Sequence, residues 1–312
     1  MEIVITGASG LLGLNFTLAA KQRAGKVTAI YFHHPVDVPG VRSVKLDLVD
    51  VRAVDALVDH VRPDWVVHCA AMTDVDWCEN HPELARHFHV EVSRQLAVAV
   101  RRVGGRMLYV STDAVFDGEL GDYAEDDRCA PLNHYARTKL DGETAVQEAL
   151  PAALVVRTNM FGWKLEGKPG LAEWILQQLI TNKPVPGFSD VIFTPLLVND
   201  FSEIMLDMMH RRLSGVYHVG SAAACSKYDF ARLVARVFGL REDLIYSTVV
   251  QQSALRARRP KNTSLRTDKA VAALGRLMPE LPAAVQRFRA LRDGGFTDQL
   301  KQIRGGLGDA KV

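Results

Sequence analysis

The chain opens with a strand pattern, a glycine-spaced turn and a helix pattern, and this opening most narrows the folds available to it. Residues 1–6 form a short apolar strand pattern, and an apolar helix pattern covers Leu11–Arg23. Glycines let a backbone approach a pyrophosphate closely, while a helix N-terminus offers free N–H donors and the positive end of a dipole. The opening therefore predicts a dinucleotide site, with these candidate cofactor contacts: Gly7, Ser9, Gly10, Leu11, Leu12 and Gly13.

A glycine turn alone can be a purely geometric device, but here a series of strand and helix patterns follows it. Further strand patterns cover Val27–Phe32, Val44–Leu46, Trp65–His68, Arg106–Ser111 and Ala153–Arg157. Helix patterns cover Val51–Val61, Pro82–Val103 and Asn133–Leu150. This alternation predicts an α/β fold with a Rossmann-type, doubly wound parallel sheet that binds ligands at the C-terminal ends of its strands.

The alternation changes after Arg157, which predicts a smaller C-terminal α/β lobe for the substrate. Residues 1–162 are assigned to an NAD(P)-binding domain, which 191–218 rejoin, and residues 163–190 and 219–292 to the substrate-binding lobe. Residues 293–312 are polar and contain glycine, so we expect a poorly ordered tail. Later patterns predict a strand at Gly215–Val219 and helices at Leu171–Thr181, Lys227–Val237 and Thr267–Leu274.

The loop after the second strand pattern bears on the choice of dinucleotide. An acidic residue about 20 positions past the glycine turn would bind the adenosine ribose of NAD. That position falls at His33 and His34, and the next carboxylate is Asp37. An uncharged or basic pocket tolerates a 2′-phosphate, so NADP(H) is favoured and NAD(H) stays possible. Both histidines could equally be exposed loop residues.

Two later strand ends supply further cofactor candidates. Asp47 and Leu48 follow the third strand pattern, where the carboxylate could contact adenine or simply cap a turn. Small residues end the fourth strand pattern, and they would let a cofactor lie against the backbone or would serve tight packing: Cys69, Ala70 and Ala71.

The catalytic candidates are Thr112, Tyr135 and Lys139. Tyr135 and Lys139 are one helical turn apart, so they share a face of the predicted helix. Free tyrosine has a pKa of about 10. A nearby lysine cation would assist a phenol that protonates a carbonyl during reduction, and Lys139 could also hold the nicotinamide ribose. Thr112 ends a strand and could hold the carbonyl oxygen. An exposed tyrosine and lysine would be the alternative if this spacing stood alone.

Composition excludes other classes of protein. The net charge of +2 over 312 residues offers no bulk attraction for nucleic acid or an acidic membrane. No apolar run is long enough to span a bilayer, and the four cysteines lack zinc or redox spacing, so we expect no metal site and a cytoplasmic location.

Arg256–Lys261 form a basic cluster that could bind a diphosphate or be a solvated surface.

These motifs resemble the extended short-chain dehydrogenase/reductase superfamily and, within it, the dTDP-4-dehydrorhamnose reductase family. The resemblance extends to about residue 275 and rests on residues 6–13, 111–118, 131–143 and 259–262. It implies a Thr112, Tyr135 and Lys139 triad, NAD(P)H as cofactor, and reduction of a nucleotide-linked 4-keto-6-deoxysugar. It also implies substrate contacts from Thr73, Asp113, Ala114, Asn159, Met160 and Arg259.

The chain departs from that family at three places. Dehydratases of the superfamily usually have glutamate at the position of Ala114, which favours reduction without elimination, but the reductases tend to have tyrosine there. These reductases also tend to have a tryptophan soon after the sixth strand, where this chain has Arg157-Thr158-Asn159-Met160, so the sugar pocket is altered. His89 stands where the superfamily usually has an asparagine.

The resemblance leaves two other functions open. One is a non-catalytic NADP-binding subunit similar to the regulatory β subunit of methionine adenosyltransferase. The other is a sugar-nucleotide epimerase that uses the same triad. The resemblance also makes a homodimer possible, formed through helices Pro82–Val103 and Asn133–Leu150.

Overall fold

The computed structural model describes residues 1–165, 167–252 and 255–305. The strands are β1 (Glu2–Thr6), β2 (Lys26–Tyr31), β3 (Arg42–Lys45), β4 (Trp65–His68), β5 (Arg106–Thr112), β6 (Leu154–Phe161), β7 (Val185–Phe188), β8 (Ile192–Phe193), β9 (Pro195–Leu197), β10 (Gly215–His218), β11 (Cys225–Ser226) and β12 (Ile245–Thr248). The α-helices are α1 (Leu11–Arg23), α2 (Val51–Val61), α3 (Val75–Asn80), α4 (Pro82–Arg86), α5 (Ser93–Arg102), α6 (His134–Ala149), α7 (Leu171–Ile180), α8 (Val198–His210), α9 (Lys227–Phe238), α10 (Asp268–Leu274), α11 (Leu281–Asp293) and α12 (Phe296–Gly305).

An eight-stranded parallel sheet is the centre of the fold. Its strand order is β10-β6-β5-β4-β1-β2-β3, and β9 pairs with the C-terminal part of β6. The central strands β1, β4, β5 and β6 are apolar and almost wholly buried, as expected where helices cover both faces. The predicted Rossmann-type parallel sheet is confirmed.

Two hydrophobic cores lie on opposite faces of this sheet. On one face, α1 and α8 pack through Phe16, Phe201 and Met205. On the other face, α2, α5 and α6 pack through Leu57, Leu96 and Val146. Since the strands start and stop between these layers, the backbone at their C-terminal ends is left open to a ligand.

The smaller lobe has its own core. Helices α7, α9 and α11 enclose aromatic side chains that include Phe230 and Phe288. Two short strand pairs, β7 with β12 and β8 with β11, complete the lobe. The indole of Trp163 stacks on Phe288 at 4.1 Å between ring centroids, which ties the segment after β6 to α11.

The structure differs from the sequence-based expectation in several elements. The single helix predicted over Pro82–Val103 is α4 and α5 joined by a π-helical turn at His87–Val92. Helices α8 and α11 were not predicted, and α10 packs against the sheet core rather than the lobe core. The expected poorly ordered tail is helical as α12, and the last part of that tail, residues 306–312, lies outside the described residues.

Among the helices of the described chain, none combines the length and the apolar character that crossing a membrane requires.

Candidate active site

The sequence-predicted residues meet at the C-terminal edge of the sheet. The glycine turn follows β1, Cys69 follows β4, Thr112 ends β5, and Asn159 lies near the end of β6. These four strands are neighbours in the sheet, so their ends lie side by side. Helix α6 begins at the same edge and carries Tyr135 and Lys139.

The backbone around the glycine turn is so close that only glycine fits at two of its positions. Gly7 has φ +66°, and a Cβ there would come within 2.8 Å of the Ala70 backbone. A Cβ on Gly13 would overlap the carbonyl oxygen of Gly7. Gly10 caps α1 without a side-chain hydrogen bond, so the capping residue itself does not occupy the first N–H groups of that helix. This cradle fits the pyrophosphate of a dinucleotide.

The adenosine candidates lie on the loops after β2 and β3. His33 and His34 are exposed, and their ring centroids are 6.5 Å apart. Asp47 accepts a hydrogen bond from the Val49 N–H at 3.0 Å, so its carboxylate caps a turn. Leu48 is buried in the core beside α2. A contact from Asp47 to adenine stays a prediction.

The end of β4 is held close to the glycine turn. The Ala70 N–H donates to the Thr6 hydroxyl at 3.3 Å, and that hydroxyl also lies 2.7 Å from Nδ1 of His68. Burial lowers the pKa of His68 to about 3, so the imidazole is neutral. Beside these hydrogen bonds, Cys69, Ala70 and Ala71 are half-buried, while Thr73 is exposed.

Lys139 is a buried cation beneath the edge of the sheet. Its Nζ donates to the Val110 carbonyl at 2.8 Å and lies 4.0 Å from the centroid of the Tyr109 ring. Burial lowers the Lys139 pKa to about 7, against the opposing charge of Glu143. Lys139 therefore changes its charge near neutral pH.

Tyr135 and Thr112 are neighbours at this edge. Burial raises the pKa of the half-buried Tyr135 phenol, and the charge of Asp113 raises it further, whereas a hydrogen bond with Thr112 lowers it. The phenol is consequently protonated at neutral pH and can serve as a proton donor.

Asp113 is the centre of a buried polar cluster. Its carboxylate accepts hydrogen bonds from Thr263 at 2.7 Å, Asn159 at 3.0 Å and Thr112 at 3.2 Å. Burial raises its pKa. Asn159 thus holds Asp113, while Met160 is half-buried against the sheet core and Ala114 donates its N–H to Thr112 at 3.1 Å.

His89 joins two parts of the site. It lies in the π-helical turn, where its Nε2 accepts the Met72 N–H at 3.0 Å and its Nδ1 lies 2.8 Å from the Thr138 hydroxyl. The first contact makes Nδ1 the protonated nitrogen, so the ring donates to Thr138. Its ring also meets the Tyr135 ring edge-on, with centroids 5.7 Å apart.

Arg259 brings the basic segment to the same side. One guanidinium nitrogen donates to Asp76 at 3.2 Å, and the buried Nη1 has no hydrogen-bond partner within the described structure. Asn133, which caps α6 at Ala136, also donates to the Arg258 carbonyl at 2.9 Å. The N-terminus of α6 is therefore joined to the arginine segment.

Sequence reasoning missed two residues of this site. The half-buried Lys227 lies in the field of Asp113 and Arg259, and burial lowers its pKa. Thr263 donates to Asp113 from 150 residues away in the chain. Lys227 is the first residue of α9, where a cation is unfavourable beside the positive end of the helix dipole. That position is the one signal in the sequence that Lys227 has a role other than helix formation.

The comparison with known families adds to this geometry. The sequence profile of the RmlD substrate binding domain matches residues 1–291. The chain belongs to this family. The resemblance inferred from the motifs is confirmed.

Relatives of this chain carry the names of reductases and of a subunit. It is 32% identical to a probable low-salt glycan biosynthesis reductase, Agl14, of Haloferax volcanii, over 90% of this chain and 95% of that protein. It is 35% identical to dTDP-4-dehydrorhamnose reductase of Mycobacterium tuberculosis, over 75% of this chain and 74% of the relative. It is 33% identical to methionine adenosyltransferase 2 subunit beta of Xenopus laevis, over 76% and 72% respectively.

A solved structure of a dTDP-4-dehydrorhamnose reductase from Bacillus anthracis, in complex with NADP, superposes with a TM-score of 0.82. The two chains are 26% identical, and the match covers 93% of this chain and 98% of that one.

Proposed function

We propose that this protein is an NADPH-dependent reductase of a nucleotide-linked 4-keto-6-deoxysugar. The observation that carries the proposal is the position of three residues at the sheet edge that holds the glycine cradle: Thr112 and Tyr135 share a hydrogen bond, and the buried Lys139 follows one turn along α6. Fold alone would not argue for an activity, because folds of this type host many functions. The argument rests on a protonated phenol and a buried cation at the edge of the sheet where a dinucleotide fits.

In this mechanism the chain's residues bind the ketone and supply a proton. The Thr112 hydroxyl, turned from Asp113 towards the ligand, and the Tyr135 phenol both donate to the carbonyl oxygen, and the phenol proton passes to that oxygen as negative charge develops. Lys139 stabilises the resulting phenolate by its positive charge. Bound in the glycine cradle, NADPH would supply the hydride to the carbonyl carbon.

The substrate handle is assigned to the cations that the smaller lobe brings to this edge. Within the part of the chain that the structure describes, one buried guanidinium nitrogen of Arg259 has no hydrogen-bond partner, and Lys227 lies near it. A planar guanidinium suits a diphosphate, since it can donate two parallel hydrogen bonds. Ala114 and Met160 would shape the sugar pocket, and exposed Thr73 would contact the sugar from the β4 side.

NADPH is preferred over NADH in this proposal because His33 and His34 replace the acidic residue that binds the ribose of NAD. NAD(H) is the second choice. The four cysteines are free thiols, in keeping with a reducing compartment, and we assign the enzyme to the cytoplasm. A homodimer through α4, α5 and α6 belongs to the same proposal, with Leu84 of α4 and Val98 of α5 exposed.

A second candidate function is an NADP-binding subunit, favoured by the likeness to methionine adenosyltransferase 2 subunit beta. It would bind NADPH tightly without consuming it. An epimerase would likewise show no net consumption, but it would convert one sugar nucleotide into its epimer.

Tyr135→Phe tests the reductase directly. We expect NADPH oxidation with nucleotide-linked 4-keto sugars to fall about 10²- to 10⁴-fold in this variant while NADPH binding persists. Tyr246→Phe is the matched control, because that phenol is exposed on β12, and it should keep full activity. Tight NADPH binding by the wild type without turnover of any ketone would refute the reductase and direct attention to the subunit or the epimerase.

A further inference from the structure

Helix α12 lies beyond the part of the chain that the family profile matches, which ends at residue 291. It nevertheless packs closely against the cofactor domain. Leu300 and Ile303 are 1% and 5% exposed, and they share a core with two residues around the glycine turn, Ala8 and Leu14. This chain therefore adds a packed helix next to the predicted cofactor site.

The same core includes Val36 and Val38 from the loop between β2 and β3. The backbone of that loop is attached as well, since the Asp37 N–H donates to the Ile303 carbonyl at 3.2 Å. The rest of the loop is largely solvent-exposed, including His33 and His34. Helix α12 thus provides apolar and backbone anchors for an otherwise exposed loop.

The loop after β2 is where a dinucleotide places its adenosine ribose in a sheet of this type. A loop that is ordered before binding loses less conformational entropy when its ligand arrives. We propose that Leu300 and Ile303 are positioning residues for this loop and thereby set the affinity for the adenosine end of the cofactor. The proposal rests on the proposed function, because it takes NADPH as the ligand.

The same helix reaches the smaller lobe. Trp163, which stacks on Phe288, also packs at the edge of the α12 core, together with Leu165. Helix α12 therefore shares one hydrophobic core with the glycine turn, with the loop between β2 and β3, and with the segment that leads into the lobe. Its influence on the nicotinamide end is expected to be smaller, since Tyr135 contacts His89 and Lys139 contacts Val110, and both partners lie outside the core that α12 shares.

The test combines Leu300→Ala with Ile303→Ala and measures binding of NADPH and of adenosine 2′,5′-bisphosphate, a probe of the adenosine end alone. We expect both dissociation constants to rise about tenfold, while kcat at saturating NADPH stays close to that of the wild type. Gln299→Ala with Lys301→Ala is the matched control, because both side chains are exposed on the same helix. This control should bind both ligands as the wild type does.

Ile303→Val keeps the anchor nearly intact and covers the case in which the double variant unfolds. It should retain the wild-type melting temperature and show a smaller rise in both dissociation constants than Ile303→Ala. Unchanged affinity in folded Leu300 and Ile303 variants would overturn the role of α12 and leave the reductase proposal intact. A wild type that binds no NADPH would overturn both.

Discussion

Lys139 is a cation in surroundings that disfavour its charge. Its ammonium has a carbonyl and an aromatic face as neighbours, and Glu143 offsets part of the cost of burial. The result is a pKa of about 7 instead of the 10.5 of free lysine. The pKa of Tyr135 is raised instead, because burial favours the neutral form of each group and the neutral form of tyrosine is the protonated one.

These two shifts predict the pH dependence of reduction. Lys139 is charged below about pH 7 and neutral above it, whereas Tyr135 stays protonated throughout that range. We expect kcat/KM for NADPH, which reports the free enzyme, to fall as the pH rises through about 7. The measurement is a pH profile of steady-state NADPH oxidation.

Lys139→Arg is the control for this profile, because arginine keeps its charge at every accessible pH. Its activity should be lower but should lack the decline near pH 7. If the decline persists at the same pH in Lys139→Arg, another group causes it.

At the scale of elements, helix α6 contains two of the proposed catalytic residues, Tyr135 and Lys139, and three contacts orient it. Asn133 caps its N-terminus, His89 donates to Thr138, and Glu79 accepts the His134 N–H at 3.0 Å. Thr138 lies between Tyr135 and Lys139 along the chain. Burial lowers the pKa of His89 to about 3, so this contact does not change with pH in the physiological range.

Thr138→Val tests whether the His89 contact orients the catalytic helix. Valine keeps the shape but leaves Nδ1–H of His89 without its acceptor, at a cost of about 1–3 kcal/mol in stability. We expect kcat to fall about tenfold, since small displacements of reacting groups slow catalysis strongly, with little change in KM. Steady-state kinetics and thermal unfolding give both values.

Thr144→Val is the matched control on the same helix, since the Thr144 side chain is exposed. It should leave kcat unchanged. Equal losses of kcat in the two valine variants would rule out a specific role of His89.

The alternating patterns were sufficient to predict the sheet, because buried parallel strands and amphipathic helices such as α2 have distinct periodicities. Helix α8 was not evident, since it follows β9 directly and has no capping side chain at its start. The π-helical turn around His89 depends on contacts with α6 that no local pattern encodes. The motifs predict the candidate catalytic residues, whereas Lys227 and Thr263 become evident only from the fold that brings them to Asp113.

At the scale of the whole molecule, a buried ion pair joins helix α6 to the central sheet. Arg157 on β6 donates two hydrogen bonds to Glu143 on α6, at 2.8 and 3.1 Å, and Ser111 donates to the same carboxylate. The guanidinium also lies 5.3 Å from the centroid of the Phe116 ring. Removing one partner would leave the other charge buried without compensation.

Arg157→Leu should therefore lower the free energy of unfolding by about 3–5 kcal/mol. Arg102→Leu is the control, because Arg102 pairs with Asp55 and Asp59 on the surface, and it should leave the urea midpoint close to that of the wild type. Urea unfolding measures both. Combining Arg157→Leu with Glu143→Leu should recover part of the loss, and a double variant less stable than Arg157→Leu would contradict this account.

The path of the chain between the sheet and the smaller lobe has a consequence for how new specificities arise. The chain enters the lobe after β6, returns for β9, α8 and β10, leaves again for α9, comes back with α10, and passes through α11 before α12. The lobe is therefore not one continuous segment of the chain, so recombination at two points could not exchange it between relatives. Single replacements at the proposed substrate positions, such as Ala114 and Met160, leave this path of the chain unchanged.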